Sequence, residues 1–380
     1  MLGLYIHIPF CVSKCNYCDF NSYKLDVNLK KRYIDDLKKE MELYKKDIEK
    51  ENYEKEICSI FLGGGTPSIL TSNEIEEIFN NIYKNFNIKD NAEVTMECNP
   101  GTLTREKLET MKKCGVNRLS IGLQAVQNNK LKEIGRIHTY EEFEKNYKEA
   151  LDVGFDNINV DLMYALPNHN IDEWKESLEK IISLNPSHIS AYSLILEEGT
   201  KLYDMYEDNE FELIDEDTDI NMYNHTINYL KQNGYNQYEI SNYSKPGFEC
   251  KHNILYWKCY HYIGLGAGAS GYLGNSRYNN VENLDEYHNM IEKNEKPISN
   301  LENLSIEDKI QEKIFMGLRM NEGIYFEDFK KEFNIEFKNK YNKQIEDLKN
   351  KNLIKESKLG INLTQKGREI SNSVFVEFIN

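Results

Sequence analysis

Apolar and polar positions along this chain follow two alternating rhythms. Short runs rich in β-branched and aromatic residues (LYIHIPF, ICSIFL, AEVTMEC, NRLSIGL, NINVDLMY, HISAYSL and QYEISNY) read as strands. Between them lie longer stretches of helical periodicity, beginning near residues 28, 73, 104, 140, 172 and 217. The repeat of roughly 30 to 40 residues is that of a βα unit. Three of the helices run into Gly115, Gly154 and Gly234 just before the next strand, where glycine can take the left-handed conformation that stops a helix. Six or seven such units are too few for a closed eight-stranded barrel. The expected fold is α/β: an open barrel with a curved, mostly parallel sheet, helices outside and functional groups at the C-terminal ends of the strands.

After about residue 290 the rhythm changes. Residues 295–305 are polar. The remainder reads as three helices, a hairpin in IKESKLGINLT turning at Lys358-Leu359-Gly360, and a final helix. That is a winged-helix order, so the expected organisation is a barrel over residues 1–290 and a small winged-helix-like α+β domain over 300–380. A winged helix can bind DNA, yet from Leu301 onward fourteen basic residues balance fourteen acidic ones, which favours a packing or partner-binding role.

The whole net charge of −16 therefore falls in the first 300 residues. An acidic surface repels phosphate backbones, so nucleic acid is not an expected partner. Aromatic residues at 12% and only 7 prolines argue for a folded chain. No stretch approaches the roughly 20 apolar residues of a membrane span, and MLGLYIHIPFC lacks the basic start and apolar run of a signal peptide. A cytoplasmic protein without a membrane span is expected. In a reducing compartment the 8 cysteines are metal ligands or small buried groups rather than disulfides.

Cys11, Cys15 and Cys18 stand as C-x3-C-x2-C directly after the first strand. Three thiolates on one loop suit a 4Fe-4S cluster that keeps one iron open, whereas structural zinc requires a fourth Cys or His where Asp19, Phe20 and Asn21 follow. A loop without metal is the plain alternative. Gly63, Gly64, Gly65 and Thr66 end the second strand without side chains that would block a close ligand. Glu97, Gln124 and Asp161 are expected at the ends of the third, fourth and fifth strands, and Arg136 just beyond could pair a carboxylate. Taken singly, each also fits a tight turn or a surface ion pair. GLGAGASG, with Gly266, Gly268 and Gly271, matches a dinucleotide fingerprint as text, but the following YLGNSRYNN is poor in helix formers, so a small-residue packing loop is expected.

A second cluster lies in KHNILYWKCYHY. His252, Tyr256, Trp257 and His261 combine imidazoles with aromatic faces, as a haem site would. The plain alternative is an aromatic strand packed on the barrel with hydrogen-bonded histidines. Cys250-x-His252 and Cys259-x-His261 could instead form a four-ligand zinc site.

The cysteine motif resembles that of the radical SAM superfamily. YIHIPFC (5–11), FLGGGTPS (61–68), SIGLQ (120–124), IGRIHT (134–139), DLMYALP (161–167) and YSLILEEGT (192–200) resemble its oxygen-independent coproporphyrinogen III oxidase-like family. The resemblance implies a partial (β/α)6 barrel, a cluster on the three cysteines, and S-adenosylmethionine (SAM) contacts at Tyr5, Gly64, Gly65, Thr66, Glu97, Gln124, Arg136 and Asp161. HNILYW (252–257) is similar to the HNxxYW signature of the HemW-type haem-chaperone subgroup, which implies haem as cargo, with His252 as the leading ligand, and delivery to haem proteins such as respiratory cytochromes. The alternative within the family is an oxygen-independent coproporphyrinogen III dehydrogenase of porphyrin biosynthesis, acting by a 5′-deoxyadenosyl radical. Those enzymes extend the motif to C-x3-C-x2-C-x-C, and here Phe20 stands at the extra cysteine's position. The chaperone reading is preferred, no catalytic residue is assigned, and the oligomeric state stays open.

Overall fold

The computed structural model describes residues 1–50 and 56–379. The first six apolar runs form parallel strands: β1 (Leu2–Ile8), β2 (Glu56–Gly64), β3 (Asn87–Cys98), β4 (Arg118–Gln124), β5 (Ile158–Tyr164) and β6 (His188–Ser193). QYEISNY does not add a seventh parallel strand. It folds into an antiparallel hairpin, β7 (Asn236–Glu239) and β8 (Asn242–Ser244), on the β6 edge. The seventh parallel strand comes from later in the chain, as β9 (His261–Leu265) pairs with β1 on its other side. Antiparallel β10 (Ser270–Leu273), β11 (Ser276–Asn280) and β12 (Ile298–Asn303) complete a sheet ordered β12-β11-β10-β9-β1-β2-β3-β4-β5-β6-β8-β7. The polar stretch after residue 295 thus supplies its outermost strand.

Helices cross over between the parallel strands. They are α1 (Val27–Lys50), α2 (Ser72–Asn85), α3 (Arg105–Lys113), the short α4 (Asn128–Glu133), α5 (Tyr140–Val153) and α6 (Ile171–Leu184), followed by α7 (Lys201–Glu207) and α8 (Glu216–Gln232). Capping boxes start three of them, pairing Thr71 with Glu74, Thr139 with Glu142 and Asn170 with Glu173. Gly115, Gly154 and Gly234 have φ of 89°, 97° and 86°, the left-handed terminators the sequence implied.

Side chains alternate across each strand. Leu4 and Ile6, Ile60 and Leu62, Val94 and Met96, Leu119 and Ile121, Val160 and Leu162 are buried in the main apolar core beside helical residues such as Leu37, Met41, Ile78 and Phe79. Each such side chain contributes about 1.5–3 kcal/mol by leaving water. The alternate positions carry Glu97, Arg118, Ser120, Gln124, Asn159, Asp161, Ser190 and Tyr192, which line a cavity in the barrel. The lumen is therefore polar and the outer layer is the core.

KHNILYW is the helix α9 (Lys251–Trp257), not a strand. Its buried residues His252 and Leu255 close the N-terminal ends of the strands, where Leu255 meets Gly3 of β1 and His252 meets Ser59 of β2. GLGAGASG spans the end of β9, a loop over residues 266–269 and the start of β10, so a strand and not a helix follows the glycines. The Gly266 amide donates to the buried Glu40 carboxylate at 2.7 Å, and a Cβ there would meet the His7 carbonyl oxygen at 2.7 Å. Glycine serves close packing at this position.

After α10 (Leu284–Glu292) and β12 come α11 (Ile306–Arg319), α12 (Phe326–Phe333) and α13 (Phe337–Asn350). The hairpin Ile354–Glu356 and Gly360–Leu363 pairs with Ile324–Tyr325, and α14 (Gln365–Glu369) and α15 (Ser371–Val376) close the chain. Ile314, Leu318, Phe329, Phe337, Ile361 and Phe375 belong to a core of their own. No described helix is long and apolar enough to cross a membrane.

Candidate functional site

The loop between β1 and α1 is held closed at its base by a parallel ladder joining Phe10–Cys11 to Tyr23–Lys24. Asn16 fastens its tip. Its amide donates to the Ile134 carbonyl (2.9 Å), its Nδ2 to the Glu133 carbonyl (3.0 Å), and its own carbonyl accepts from the Leu202 amide (2.7 Å). These bonds turn Cys11, Cys15 and Cys18 into one cavity of about 340 Å³ at the barrel mouth. Cys11 Sγ lies 3.4 Å from Thr66 Oγ1, and Arg136 Nη1 donates to Cys15 Sγ at 3.4 Å. Burial pushes the Cys18 thiol up to about 11 and raises Cys11 as well. A fourth cysteine, Cys98, borders the cavity, but its buried thiol points to the Met96 carbonyl at 3.5 Å.

Of the residues the family resemblance marks for SAM, Gly64, Gly65, Thr66, Glu97, Gln124, Arg136 and Asp161 all line this cavity. Tyr5 does not: its hydroxyl is 3.0 Å from His7 Nδ1, and its ring stacks on Phe61, which is at the cavity wall. Arg136 is buried rather than in a surface ion pair, with Nη2 donating to Asn99 Oδ1 at 2.9 Å and to the Gly122 carbonyl. Glu97 Oε2 accepts from the Gly64 amide at 3.2 Å. Burial, then the charge of Asp161, pushes its carboxyl up to about 8. Gln124 accepts from the Tyr192 hydroxyl at 2.8 Å. Asp161 stands in the middle of β5 rather than at its end, facing the lumen, and accepts from Asn159 at 2.7 Å and Ser120 at 3.3 Å.

The glycine run also makes room for the protein's own groups. A Cβ on Gly64 would lie 2.5 Å from the His7 ring, one on Gly65 2.9 Å from the Phe10 backbone, and one on Gly63 3.1 Å from Glu97. These glycines admit the protein's own neighbours. Gly64 also has φ of 110°, which only glycine adopts readily. Gly64→Val is therefore expected to lower the urea midpoint of unfolding by the equivalent of ~2 kcal/mol before any cofactor is added. An unchanged midpoint contradicts this account.

His252 is 1% exposed, and both ring nitrogens are engaged: Nδ1 with Ser59 Oγ at 2.9 Å and Nε2 with the Tyr256 hydroxyl at 2.8 Å. Its ring stacks on Phe61 at 5.2 Å. Glu93 accepts from the Lys251 and His252 amides, each at 3.1 Å, fixing the start of α9. Trp257 faces the other way, under the Arg319 guanidinium and beside a cleft against α11 and α12. Cys250, His252, Cys259 and His261 do not converge as zinc ligands. Cys250 points to Glu93, while His261 Nε2 bonds the Gly274 carbonyl at 3.1 Å.

Burial, with the charge of Arg118 second, holds the His252 imidazole down to about 3. Between pH 3 and the ordinary value of about 6.5, the unfolded chain binds a proton that the native one refuses. Wild-type stability should therefore fall on acidification through that window relative to His252→Gln, by up to about 1.4 kcal/mol per pH unit. Parallel urea titrations at pH 7 and pH 5 check this; equal losses in both proteins contradict it.

Sequence reasoning missed Tyr17, Asn99, Arg118, Ser120, Asn159 and Ser190, which share the cavity with the marked residues. The signal was present, since Arg118-x-Ser120-x-Gly122-x-Gln124 and Asn159-x-Asp161 place polar or small residues at every second position of otherwise apolar runs.

The chain is similar to known proteins along its length. A family model described as Radical SAM superfamily matches residues 5–181, and the HemN C-terminal domain model matches 304–370. A protein of Lactococcus lactis subsp. lactis (strain IL1403) named Heme chaperone HemW is 38% identical over 375 residues, 99% of this chain and 96% of its own length. One of the same name from Bacillus subtilis (strain 168) is 34% identical over 380 residues, 100% of this chain and 99% of its own. The solved structure of coproporphyrinogen III oxidase (HemN) from Escherichia coli superposes with a TM-score of 0.86 at 21% identity, covering 99% of this chain and 89% of that one, and so shares the fold. The chain belongs to the HemW family of the radical SAM superfamily.

Proposed function

We propose that this protein holds a 4Fe-4S cluster on Cys11, Cys15 and Cys18, binds SAM at the opposite wall of the same cavity, and keeps haem for delivery to haem proteins such as respiratory cytochromes. The observation that carries the reading is the meeting of the three thiols with Glu97, Gln124, Arg136 and Asp161 in one cavity. The donor set suits the cluster: three sulfurs face a common space, and Thr66 and Arg136 reach two of them. When bound, the cluster supplies an open iron for the amino and carboxylate groups of SAM and an electron for its sulfonium. The chain's residues position and exclude: Asn16 fixes the thiol loop, Arg136 ties it to β4 and Asn99, and buried Glu97 offers a polarisable carboxyl.

The chaperone reading rests on whole-length similarity to proteins named heme chaperone HemW and on Phe20. Phe20 is 61% exposed at the cavity edge. For haem, His252 supplies a neutral imidazole, the form that ligates iron. In the closed arrangement its nitrogens are taken, so ligation requires haem iron to replace the Tyr256 hydroxyl at Nε2, with α9 drawn away from the strands. Anaerobically reconstituted protein tests the reading when SAM binding, haem binding and coproporphyrinogen III turnover are measured side by side. Binding of SAM and haem without turnover is expected. Turnover with SAM consumption and no haem binding would establish the dehydrogenase instead.

A further inference from the structure

The lower lumen holds a cation that the site above does not use. Arg118 opens β4 on the same inward row as Gln124 and is 2% exposed. Among the described residues no group hydrogen-bonds its guanidinium, and its Nε is buried without a partner. Burial opposes its charge, while Cys250, Glu93, Tyr238 and Asp161 around it favour the charged form. The two carboxylates are committed elsewhere, Glu93 to the start of α9 and Asp161 to Asn159 and Ser120. A buried guanidinium with its donors unpaired is a costly arrangement, and it borders the cavity, so the missing acceptor is one that the cavity can admit.

We propose that Arg118 anchors a second ligand subsite, deeper in the barrel than the cluster and SAM positions, which takes a small monocarboxylate. The planar fork of the guanidinium matches a carboxylate in two parallel hydrogen bonds. A doubly charged phosphate is disfavoured because Glu93 and Asp161 already place negative charge beside Arg118. Asn253 completes the floor. Its side chain borders the cavity, bonds no described residue, and belongs to the helix that carries His252, so an occupied subsite touches the segment read above as the haem site. The ligand is short, because the lower lumen beside Arg118 is only part of a cavity of about 340 Å³. The assignment of depth rests on the cluster and SAM reading; the anion site itself does not.

Thermal unfolding of the full chain tests it, with sodium propionate as probe, propionamide as the neutral isostere, and sodium chloride at equal ionic strength. Affinities follow from the rise of Tm with ligand concentration. Propionate should bind roughly tenfold more tightly than propionamide, about 1.4 kcal/mol, both with and without the reconstituted cluster. A failed cluster therefore leaves this result legible. Arg118→Gln should erase the preference. If that variant does not fold, Arg118→Lys decides, since it keeps the charge and loses the fork and should lose most of the preference. Equal affinities in the wild type, or an unchanged preference in either variant, overturn the proposal.

Discussion

Replacing any one of Cys11, Cys15 and Cys18 by alanine is expected to strip the reconstituted protein of its cluster, while the wild type retains about four iron and four sulfide per chain. The three thiols share one loop whose base is a strand ladder and whose tip is bonded through Asn16 to the turn after α4 and to α7, so no other cysteine can move in to substitute. Cys98 is the closest rival. Its thiol is buried against Met96, and Cys98→Ala should keep full cluster content. Cys58→Ala and Cys114→Ala should do the same, since Cys58 Sγ bonds the Leu2 carbonyl and Cys114 ends α3. Iron and sulfide analysis with the visible absorption of the cluster decides. Stoichiometric zinc without sulfide in the wild type would defeat the assignment.

Haem binding should depend as sharply on α9. His252→Ala is expected to shift the Soret band and weaken haem by at least tenfold, and the double replacement of His252 and His261 to abolish specific binding, with the cluster intact in both because its ligands lie at the opposite end of the barrel. The hydrogen bond to Tyr256 adds a prediction of opposite sign. Tyr256→Phe removes the group that occupies Nε2, so haem should bind this variant faster and more tightly. Wild-type haem binding in the double variant would show that the ligands lie elsewhere.

The six parallel strands and their helices were legible because each βα unit is local: alternation, a cap such as Thr71 or Asn170, and a glycine stop all lie within one stretch of chain. Long-range pairing was not. QYEISNY looks like one more unit, yet the place beside β1 goes to His261–Leu265, and only the pairing of Leu4 with Ile263 and Ile6 with Leu265 reveals it. KHNILYW reads as an aromatic strand because its tyrosine and tryptophan favour sheets. It folds as a helix, with Glu93 of β3 holding its first amides and the strand ends receiving His252 and Leu255. The cysteines and the polar rim were found from spacing and family resemblance. Arg118 was not, although it shares the alternation of Ser120, Gly122 and Gln124, because only the folded sheet shows that this row faces the lumen.

Transfer of haem is the most direct measure of the central claim. Haem-loaded, cluster-reconstituted protein is mixed anaerobically with an apo-cytochrome, and the Soret bands of donor and acceptor are followed over time. The account predicts loss of the donor band with matching gain of the acceptor's spectrum, and no such gain from the double variant lacking His252 and His261. Wild-type protein that retains its haem in the presence of acceptor, or acquires none and instead converts coproporphyrinogen III, would contradict it.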